Sequence, residues 1–360
     1  MPDISVMIKP ASSLCNLRCA YCFYHDVAAK RQAYGFGVMD GRTARILIGK
    51  AFDYADGGNV YFVFQGGEPC LAGLGYFKEF VAAAEELNTR GSAVYYSLQT
   101  NGTLIDEEWC AFLKEKNFLV GLSLDGNAEG NRYRVDADGN ESFHKAVRAA
   151  DLLTESEVPF NILTVVTGYT ADHIEEQYDF LVSKGYRYLQ FIPCLRPFND
   201  RSDDPLYMTT QQYSRFLVTA FNRYVRDFIR GNYVSVRGFD NWVRMAGGEL
   251  PEQCGFSGRC SRQFVVEANG NVYPCDFYCL DEYRLGNINL MSFEDMAQSR
   301  RAEEFLRESL YIPEKCKHCN YYGLCRAGGC KRQRESDDYC ESYRDFFSAC
   351  LPLFRVFTKR

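Results

Sequence analysis

The sequence lacks three features that would assign it to other classes of protein. No apolar run approaches the ~20 residues of a membrane-spanning helix. The first residues, Met1-Pro2-Asp3-Ile4-Ser5, form neither a basic segment nor a long apolar one. A net positive charge is also lacking, since the formal charge is -6 at pH 7. These absences predict a cytoplasmic protein with neither a membrane nor a nucleic acid as partner.

Cysteine, by contrast, is abundant, with 16 residues in a chain of 360. In a secreted protein that number would suggest disulfides, but without a secretory segment it points to metal or redox centres. We therefore expect a reducing, oxygen-poor compartment. The length predicts one large domain and a smaller one.

Short apolar runs alternate with segments of helical period over the first two thirds of the chain, which predicts a parallel sheet with helices outside it. Six strands are expected: Val6–Ile8, Val60–Phe64, Val94–Leu98, Phe118–Leu122, Phe160–Val166 and Tyr188–Ile192. Six such units are too few for a closed eight-unit barrel, so we expect an open partial barrel or a doubly wound sheet. In either fold, ligands bind at the carboxyl ends of the strands.

The pattern changes near residue 235, after a helical segment at Gln211–Arg230. Most of the cysteines follow, in a region rich in glycine and turns, where Asn269-Gly270 predicts a hairpin. The sequence thus predicts a domain at 1–235 and a smaller one at 236–360.

The first cysteine cluster contains three thiols in the pattern C-x3-C-x2-C, at Cys15, Cys19 and Cys22. Thiolates favour iron-sulfur clusters, zinc or copper(I). A structural zinc site would need a fourth ligand, for which His25 is the local candidate. Three cysteines without a fourth would leave one iron of a cubane cluster open.

This triplet resembles that of the radical S-adenosylmethionine (SAM) superfamily, in which SAM chelates the open iron. The turn Gly66-Gly67-Glu68-Pro69 supports the resemblance, because glycines admit a ligand close to the backbone and a carboxylate can accept from an ammonium group. The resemblance implies a partial (β/α)6 barrel and a SAM pocket lined by Tyr21, Gly66, Gly67, Glu68, Ser123, Asp125, Arg134 and Leu195. Each of these residues could instead be an ordinary core, turn or surface residue.

The cysteines near the end of the chain resemble the SPASM extension of radical SAM enzymes. The resemblance implies two auxiliary [4Fe-4S] clusters, with Cys254, Cys260, Cys275 and Cys330 in one and Cys316, Cys319, Cys325 and Cys340 in the other. Four residues separate Cys325 from Cys330, where the family more often has three, so Cys330 is the auxiliary ligand that departs from the family pattern. Two zinc sites are the alternative. Buried free thiols are expected at Cys70, Cys110, Cys194, Cys279 and Cys350.

Several strings, among them Cys22-Phe23-Tyr24-His25 and Tyr273-Pro274-Cys275-Asp276, are similar to those of anaerobic sulfatase-maturating enzymes. Those enzymes oxidise a Cys or Ser of a sulfatase to Cα-formylglycine. The resemblance implies that a 5'-deoxyadenosyl radical, made from SAM at the first of three [4Fe-4S] clusters, removes a hydrogen from Cβ of the target residue.

Asp276 is the expected base for the proton that this residue must then lose, and the alternative is an ordinary turn aspartate. Tyr24, Gln65 and Asn101 follow predicted structural elements and are expected to face substrate or SAM, although each could only order a loop.

The expected partners are a sulfatase polypeptide or peptide and a small electron donor, ferredoxin or flavodoxin. Lys331, Arg332 and Arg334 could dock that donor or form a solvated basic face. The strongest alternative function is a SPASM enzyme that crosslinks or epimerises a ribosomal precursor peptide. A non-catalytic electron-transfer or zinc-binding protein is the alternative of a different class. The sequence does not decide between Cys and Ser as the target.

Overall fold

The computed structural model describes residues 1–336 and 339–358. Its strands are β1 (Ile4–Lys9), β2 (Val60–Phe64), β3 (Val94–Thr100), β4 (Leu119–Ser123), β5 (Phe160–Val166), β6 (Tyr188–Pro193), β7 (Ser235–Val236), β8 (Phe264–Glu267), β9 (Asn271–Tyr273) and β10 (Gly286–Asn287). The helices are α1 (Phe23–Ala29), α2 (Gly41–Ala55), α3 (Leu74–Leu87), α4 (Glu107–Glu115), α5 (Ala128–Asn131), α6 (Phe143–Glu155), α7 (Gly168–Asp172), α8 (Ile174–Ser183), α9 (Thr210–Ile229), α10 (Arg237–Ala246), α11 (Phe293–Ala297), α12 (Arg300–Glu308), α13 (Glu314–Lys317), α14 (Tyr322–Cys325), α15 (Lys331–Ser336), α16 (Cys340–Cys350) and α17 (Arg355–Thr358).

All six strands predicted from the apolar runs are present, with ends that differ by at most two residues. Strand β1 shows the alternation of side chains that is typical of a strand, because Ile4, Val6 and Ile8 are buried whereas Ser5 is exposed. Helix α2 begins where the side chain of Asp40 accepts a hydrogen bond from the backbone of Thr43 and so caps the first turn. The βα alternation predicted from the sequence is therefore confirmed.

The chain divides into two compact units: Met1–Ser123, Arg134–Phe160 and Arg262–Leu306 form the first, and Leu124–Tyr133, Asn161–Ser261 and Arg307–Arg360 form the second. In the first unit the strands follow the order β10-β9-β8-β1-β2-β3-β4. The pairings from β1 to β4 are all parallel. The carboxyl ends of these strands therefore lie at one edge of the sheet. The cysteine triplet follows β1 in the sequence, and the glycine turn follows β2.

The predicted hairpin is also present, since β8 and β9 pair antiparallel around the turn at Asn269-Gly270. Strand β8 also pairs in parallel with β1, with Val6 opposite Phe264 and Lys9 opposite Glu267. The sequence did not indicate this pairing, because the two strands are far apart along the chain. The division into domains at 1–235 and 236–360 remains a prediction.

The second unit contains β5, β6 and β7, which lie side by side in that order. Its long helix α9 packs against α16 through aromatic rings, with Phe221 and Phe346 centred 5.4 Å apart. The predicted helix at Gln211–Arg230 is therefore confirmed within one residue at each end. Among the described residues, no helix combines the length and the apolar character needed to cross a bilayer.

Candidate functional site

The first cysteine triplet lies in the loop between β1 and α1, and Cys22 directly precedes the helix. All three thiols are half-buried. The sulfur of Cys15 accepts a hydrogen bond from the backbone N–H of Leu17 at 3.4 Å, and Asn101 Nδ2 approaches it at 3.9 Å. Backbone and amide donors directed at sulfur suit a metal-bound thiolate, and they are one means by which proteins tune iron-sulfur clusters.

The glycine turn after β2 packs directly on this loop. Gly67 N donates to Ser12 O at 2.9 Å, and Glu68 N donates to Leu14 O at 2.7 Å. A Cβ atom on Gly67 would lie 2.0 Å from Leu14 O, so only glycine fits there. Gly66 has φ +129°, a conformation that glycine adopts without strain. The two glycines therefore fix the loop that leads to Cys15.

Glu68 is buried, with 1% of its surface exposed. Its Oε1 accepts from Cys70 N at 3.0 Å and from Thr100 Oγ1 at 2.8 Å, and its Oε2 accepts from Asn101 N at 2.8 Å. Burial raises the pKa of Glu68, and the hydrogen bonds from Asn101 and Cys70 oppose that shift. In this arrangement the carboxylate orders the turn after β3, and an ammonium ligand would have to share its oxygens.

Asp276 lies with Tyr24 and Gln65 in one hydrogen-bonded group. Asp276 Oδ2 accepts from Tyr24 Oη at 2.5 Å and is 3.3 Å from Gln65 Nε2, which also donates to Tyr24 Oη at 2.7 Å. Asp276 Oδ1 is buried and has no hydrogen-bond partner among the described residues. Burial raises the pKa of Tyr24 well above its usual range, and the Asp276 charge raises it further, so the phenol stays protonated. The structure thus brings Asp276, the expected base, together with Tyr24 and Gln65, which were expected to face substrate or SAM.

Sequence reasoning missed the charged residues behind this group. Lys9 Nζ is 3.3 Å from Asp276 Oδ1 and 3.7 Å from Glu267 Oε1. Arg31 Nη1 donates to Glu267 Oε1 at 2.5 Å, and Ser12 Oγ donates to Glu267 Oε2 at 2.7 Å. A charged residue within an apolar strand, as Lys9 is at the end of β1, was the signal that could have found it.

The remaining residues of the predicted SAM pocket divide between the two units. In the first unit, the Arg134 guanidinium lies 5.4 Å from the centre of the Tyr21 ring, and Ser123 Oγ accepts from Gln99 Nε2 at 3.1 Å. Arg134 is buried rather than solvated.

In the second unit, Asp125 is fully buried and its Oδ1 accepts from Val165 N at 2.8 Å. Leu195 follows β6 and is half-buried. Asp125 thus follows β4, as the sequence predicted, and its side chain holds the carboxyl end of β5. The role of Leu195 in a SAM pocket stays a prediction.

Four of the predicted auxiliary ligands line one cavity of about 470 Å³ in the second unit: Cys316, Cys319, Cys325 and Cys340. Burial raises the pKa of Cys325 to about 12, and the three neighbouring thiols contribute. Gly328 N donates to Cys325 Sγ at 3.2 Å. A closed set of four thiols with a backbone donor fits a cubane cluster.

Of the other predicted auxiliary ligands, Cys254 and Cys330 are close enough to Cys260 to raise its pKa, after burial, to about 11. A Cβ atom on Gly329 would lie 1.9 Å from Gly255 O, so the turn before Cys330 packs tightly on the Cys254 segment. The unusual spacing before Cys330 therefore does not separate it from its neighbours. Cys275 belongs to the first unit.

The five remaining cysteines are buried and form no disulfide among the described residues, in line with the prediction: Cys70, Cys110, Cys194, Cys279 and Cys350. The basic residues near the second cysteine block do not form a free face. Lys331 Nζ is 2.7 Å from Glu308 Oε2, and Arg332 is buried with its guanidinium 4.0 Å from the Phe198 ring centre. Arg334 Nη2 donates to Ser309 O at 3.1 Å. The alternatives of a docking patch and of a solvated basic face are both wrong for Lys331 and Arg332.

The described residues hold no three Cys, His, Asp or Glu side chains arranged around a single metal ion. In a cubane, each cysteine binds a different iron, so its ligands do not converge on one point. The thiol sets above therefore fit clusters.

Two family models match the sequence. The radical SAM superfamily matches residues 10–181, and an iron-sulfur cluster-binding domain, SPASM, matches residues 254–320. The cysteine-type anaerobic sulfatase-maturating enzyme of Clostridium novyi (strain NT) is 43% identical over 96% of this chain and 95% of its own length. The chain belongs to the family of anaerobic sulfatase-maturating enzymes. It is a radical SAM enzyme with a SPASM domain that uses SAM and [4Fe-4S] clusters, of which one binds SAM and others are auxiliary.

Two further proteins bear on this family assignment. The serine-type anaerobic sulfatase-maturating enzyme of Klebsiella aerogenes is 31% identical over 98% of this chain and 87% of its own. A solved structure described as native anSMEcpe with bound AdoMet and Cp18Cys peptide superposes with a TM-score of 0.94, at 40% identity, and covers 99% of both chains. The predicted fold, a radical SAM fold with a C-terminal SPASM domain, is thereby confirmed.

Proposed function

We propose that this enzyme oxidises a cysteine side chain of a sulfatase polypeptide to Cα-formylglycine. The observation that carries the proposal is the buried group of Asp276, Tyr24 and Gln65 in a radical SAM enzyme of this family. Among the described residues, Asp276 Oδ1 has no hydrogen-bond partner, and the Lys9 ammonium lies 3.3 Å from it. Cysteine is preferred to serine as the target because the Clostridium novyi relative, named cysteine-type, is more similar than the serine-type relative.

The cluster ligands follow from the thiol sets. Cys15, Cys19 and Cys22 would hold the SAM-binding cluster, with the hydrogen bond from Leu17 N to Cys15 orienting the first ligand. The four cysteines that line the cavity, Cys316, Cys319, Cys325 and Cys340, would hold one auxiliary cluster. For the other auxiliary cluster the family resemblance implies Cys254, Cys260, Cys275 and Cys330. When bound, SAM and these clusters supply the radical that abstracts hydrogen and the acceptor for a second electron.

The role of the protein is then to place the target residue and remove a proton. After one hydrogen atom leaves Cβ, the thiol must lose its proton and an electron so that a C=S double bond forms. The Asp276 carboxylate takes that proton from Sγ, while Tyr24 donates to its Oδ2 and Gln65 lies 3.3 Å from the same oxygen. Water then replaces sulfur to give the aldehyde and hydrogen sulfide, so atoms and electrons balance.

Residues of the SAM pocket have the supporting roles. Gly66 and Gly67 fix the loop that leads to Cys15. The family resemblance implies Glu68 for the ammonium group of SAM, which would share the carboxylate oxygens with three hydrogen-bond donors. Arg134, stacked on Tyr21, supplies a buried positive charge suited to a carboxylate. The family resemblance also implies Ser123, Asp125 and Leu195 as SAM-binding residues. We also infer that a small electron donor, ferredoxin or flavodoxin, reduces the first cluster.

The test is anaerobic incubation of the reconstituted enzyme with SAM, reductant and either a Cys or a Ser version of a sulfatase peptide. Mass spectrometry follows the peptide, and chromatography measures 5'-deoxyadenosine. Formylglycine with a matching amount of deoxyadenosine is expected for the Cys peptide, at a higher rate than for the Ser peptide.

Deoxyadenosine without peptide oxidation would overturn the proposed substrate. The alternative, a radical SAM enzyme that crosslinks or epimerises a precursor peptide, would then be tested next.

A further inference from the structure

Lys9 is a buried lysine at the carboxyl end of β1, with 3% of its surface exposed. Its ammonium group is 3.3 Å from Asp276 Oδ1 and 3.7 Å from Glu267 Oε1, and it lies 4.6 Å from the centre of the Tyr24 ring. A buried lysine is costly unless it is paired. Two of its close polar neighbours, Asp276 and Glu267, are carboxylates, and Asp276 belongs to the group with Tyr24 and Gln65.

The lysine is itself held in place from the opposite side. Glu267, on β8, accepts from Arg31 and from Ser12, so its carboxylate is fixed by three cationic or hydroxyl groups including Lys9. Lys9 and Glu267 are also paired residues in the parallel ladder of β1 and β8. The position of the Lys9 ammonium is therefore set by the sheet, not by a mobile loop.

The ammonium group keeps its charge. Burial by itself would lower the pKa of Lys9, but the nearby sulfur of Cys279 and the carboxylates of Asp276 and Glu267 raise the pKa above its ordinary value. The lysine is thus a permanent positive charge beside Asp276.

The two oxygens of Asp276 differ in how they are held. Tyr24 donates to Oδ2 and Gln65 approaches it, whereas Oδ1 has the Lys9 charge nearby but no hydrogen-bond partner among the described residues. A carboxylate fixed only at Oδ2 could rotate about that edge. The positive charge of Lys9 attracts Oδ1 and so restricts this rotation.

We propose that Lys9 is a positioning residue that orients the Asp276 carboxylate through its ion pair with Oδ1, while Tyr24 and Gln65 hold Oδ2. This inference rests on the proposed function, because it assigns Asp276 the proton-accepting role. Lys9 does not react; it acts through Asp276.

The test compares Lys9→Met, which keeps the length of the side chain without the charge, with Lys9→Arg, which keeps the charge. Lys50→Met is the matched control, because Lys50 is another partly buried lysine in the same unit, whose Nζ donates to the backbone oxygens of Ile288 and Met291 at 2.6 and 2.9 Å. All variants are reconstituted with their clusters, and iron content is checked first.

With the sulfatase peptide, Lys9→Met is expected to lower kcat for formylglycine about 10- to 100-fold, the range for loss of a charged contact, with little change in KM. Deoxyadenosine formation should continue, so the ratio of formylglycine to deoxyadenosine falls. Lys9→Arg should restore a large part of the ratio, and Lys50→Met should match the wild-type ratio. A wild-type ratio in Lys9→Met would overturn the inference.

Crystal structures of the wild-type and variant enzymes give a readout independent of turnover. In Lys9→Met the Oδ1 oxygen of Asp276 should move while the Tyr24 hydrogen bond to Oδ2 is kept, and in Lys9→Arg Oδ1 should stay in place. An unmoved carboxylate in Lys9→Met would count against the positioning role. If the wild-type enzyme makes no formylglycine while the carboxylate does move, the proposed function fails and the positioning role stands.

Discussion

Asp276 combines a fixed oxygen with one that has no hydrogen-bond partner in the described structure, as a group that must receive a proton requires. Replacing Asp276 by Asn keeps the shape and removes the basic oxygen. We expect formylglycine formation to fall about 10²- to 10⁴-fold, the usual contribution of a general base. Deoxyadenosine formation should persist, because the substitution does not touch the first cysteine triplet. The measurement is the ratio of the two products.

For Asp276→Asn the control is the iron content of the variant, since Asp276 is adjacent to the predicted ligand Cys275. Peptide oxidation at the wild-type rate with full iron content would contradict the base assignment.

Tyr24 supports Asp276 through one hydrogen bond, so its removal should cost less than removal of Asp276 itself. Tyr24→Phe deletes the donor and leaves the ring that packs 4.0 Å from Phe23, centre to centre. A hydrogen bond to a charged group contributes about 1.5–3 kcal/mol, so we expect a loss of about 10- to 100-fold in kcat. Steady-state kinetics with the Cys peptide measure it, and a loss as large as that of Asp276→Asn would indicate that Tyr24 does more than hold the carboxylate.

The thiols that bind no cluster should be unreactive in the folded protein. Burial raises the pKa of Cys350 to about 11, so at pH 8 only about one thiol in 10³ is ionised. Burial also raises the pKa of Cys70 well above its usual range. We expect neither thiol to be alkylated by iodoacetamide in the native holoenzyme at pH 8, and both to be alkylated in urea. Peptide mapping by mass spectrometry gives the result; rapid native labelling of either thiol would contradict it.

The residues of the candidate site were predictable to different degrees. Asp276, Tyr24 and Gln65 were predicted from a family resemblance, and the structure brings them together. Lys9 and Glu267 were missed, because their importance comes from lying opposite each other in a ladder that joins distant parts of the chain. Glu68 was expected to have oxygens available for a ligand, yet it already accepts three hydrogen bonds, from groups that no sequence pattern places around it.

At the level of elements, the turn after β2 and the loop after β1 fit together as one unit. Gly67→Ala would place a methyl group 2.0 Å from Leu14 O and so push the cysteine loop out of position. We expect SAM affinity to fall at least about tenfold, a free-energy change of about 1.4 kcal/mol. Gly75→Ala is the control, because a Cβ atom there meets nothing within 4 Å.

Equilibrium dialysis with SAM measures the affinity of both variants. Equal affinity in Gly67→Ala and the wild-type enzyme would show that the turn can shift without disturbing the ligand.

Strands and helices of the first two thirds were predictable because each has its own apolar pattern, as the agreement at β2 and β5 shows. The hairpin was predictable for the same reason, since Asn269-Gly270 is a local turn signal. The side-by-side pairing of β8 with β1 was not, because an apolar run such as Phe264–Glu267 does not specify which strand it joins.

For the whole molecule, the thiol sets predict about twelve irons per chain with matching sulfide, four for each cluster. Replacing both Cys316 and Cys319 by Ala should remove about four irons and leave deoxyadenosine formation, because the first triplet is intact. Cys350→Ala should keep all of the iron. Iron and sulfide assays measure these values, and zinc with little sulfide would contradict the cluster assignment.

The pairing of β1 with β8 has a consequence for biogenesis. Strand β1 begins at residue 4 and can pair with β8 only after the ribosome has made the residues from 264 onward. This part of the sheet therefore has a high contact order and forms late in synthesis. Until then β1 presents an open edge, which favours aggregation. The same late strand carries Glu267, and the segment that follows it carries Asp276. A ribosome-bound nascent chain can thus fold much of its first half while it still lacks the residue that removes the proton.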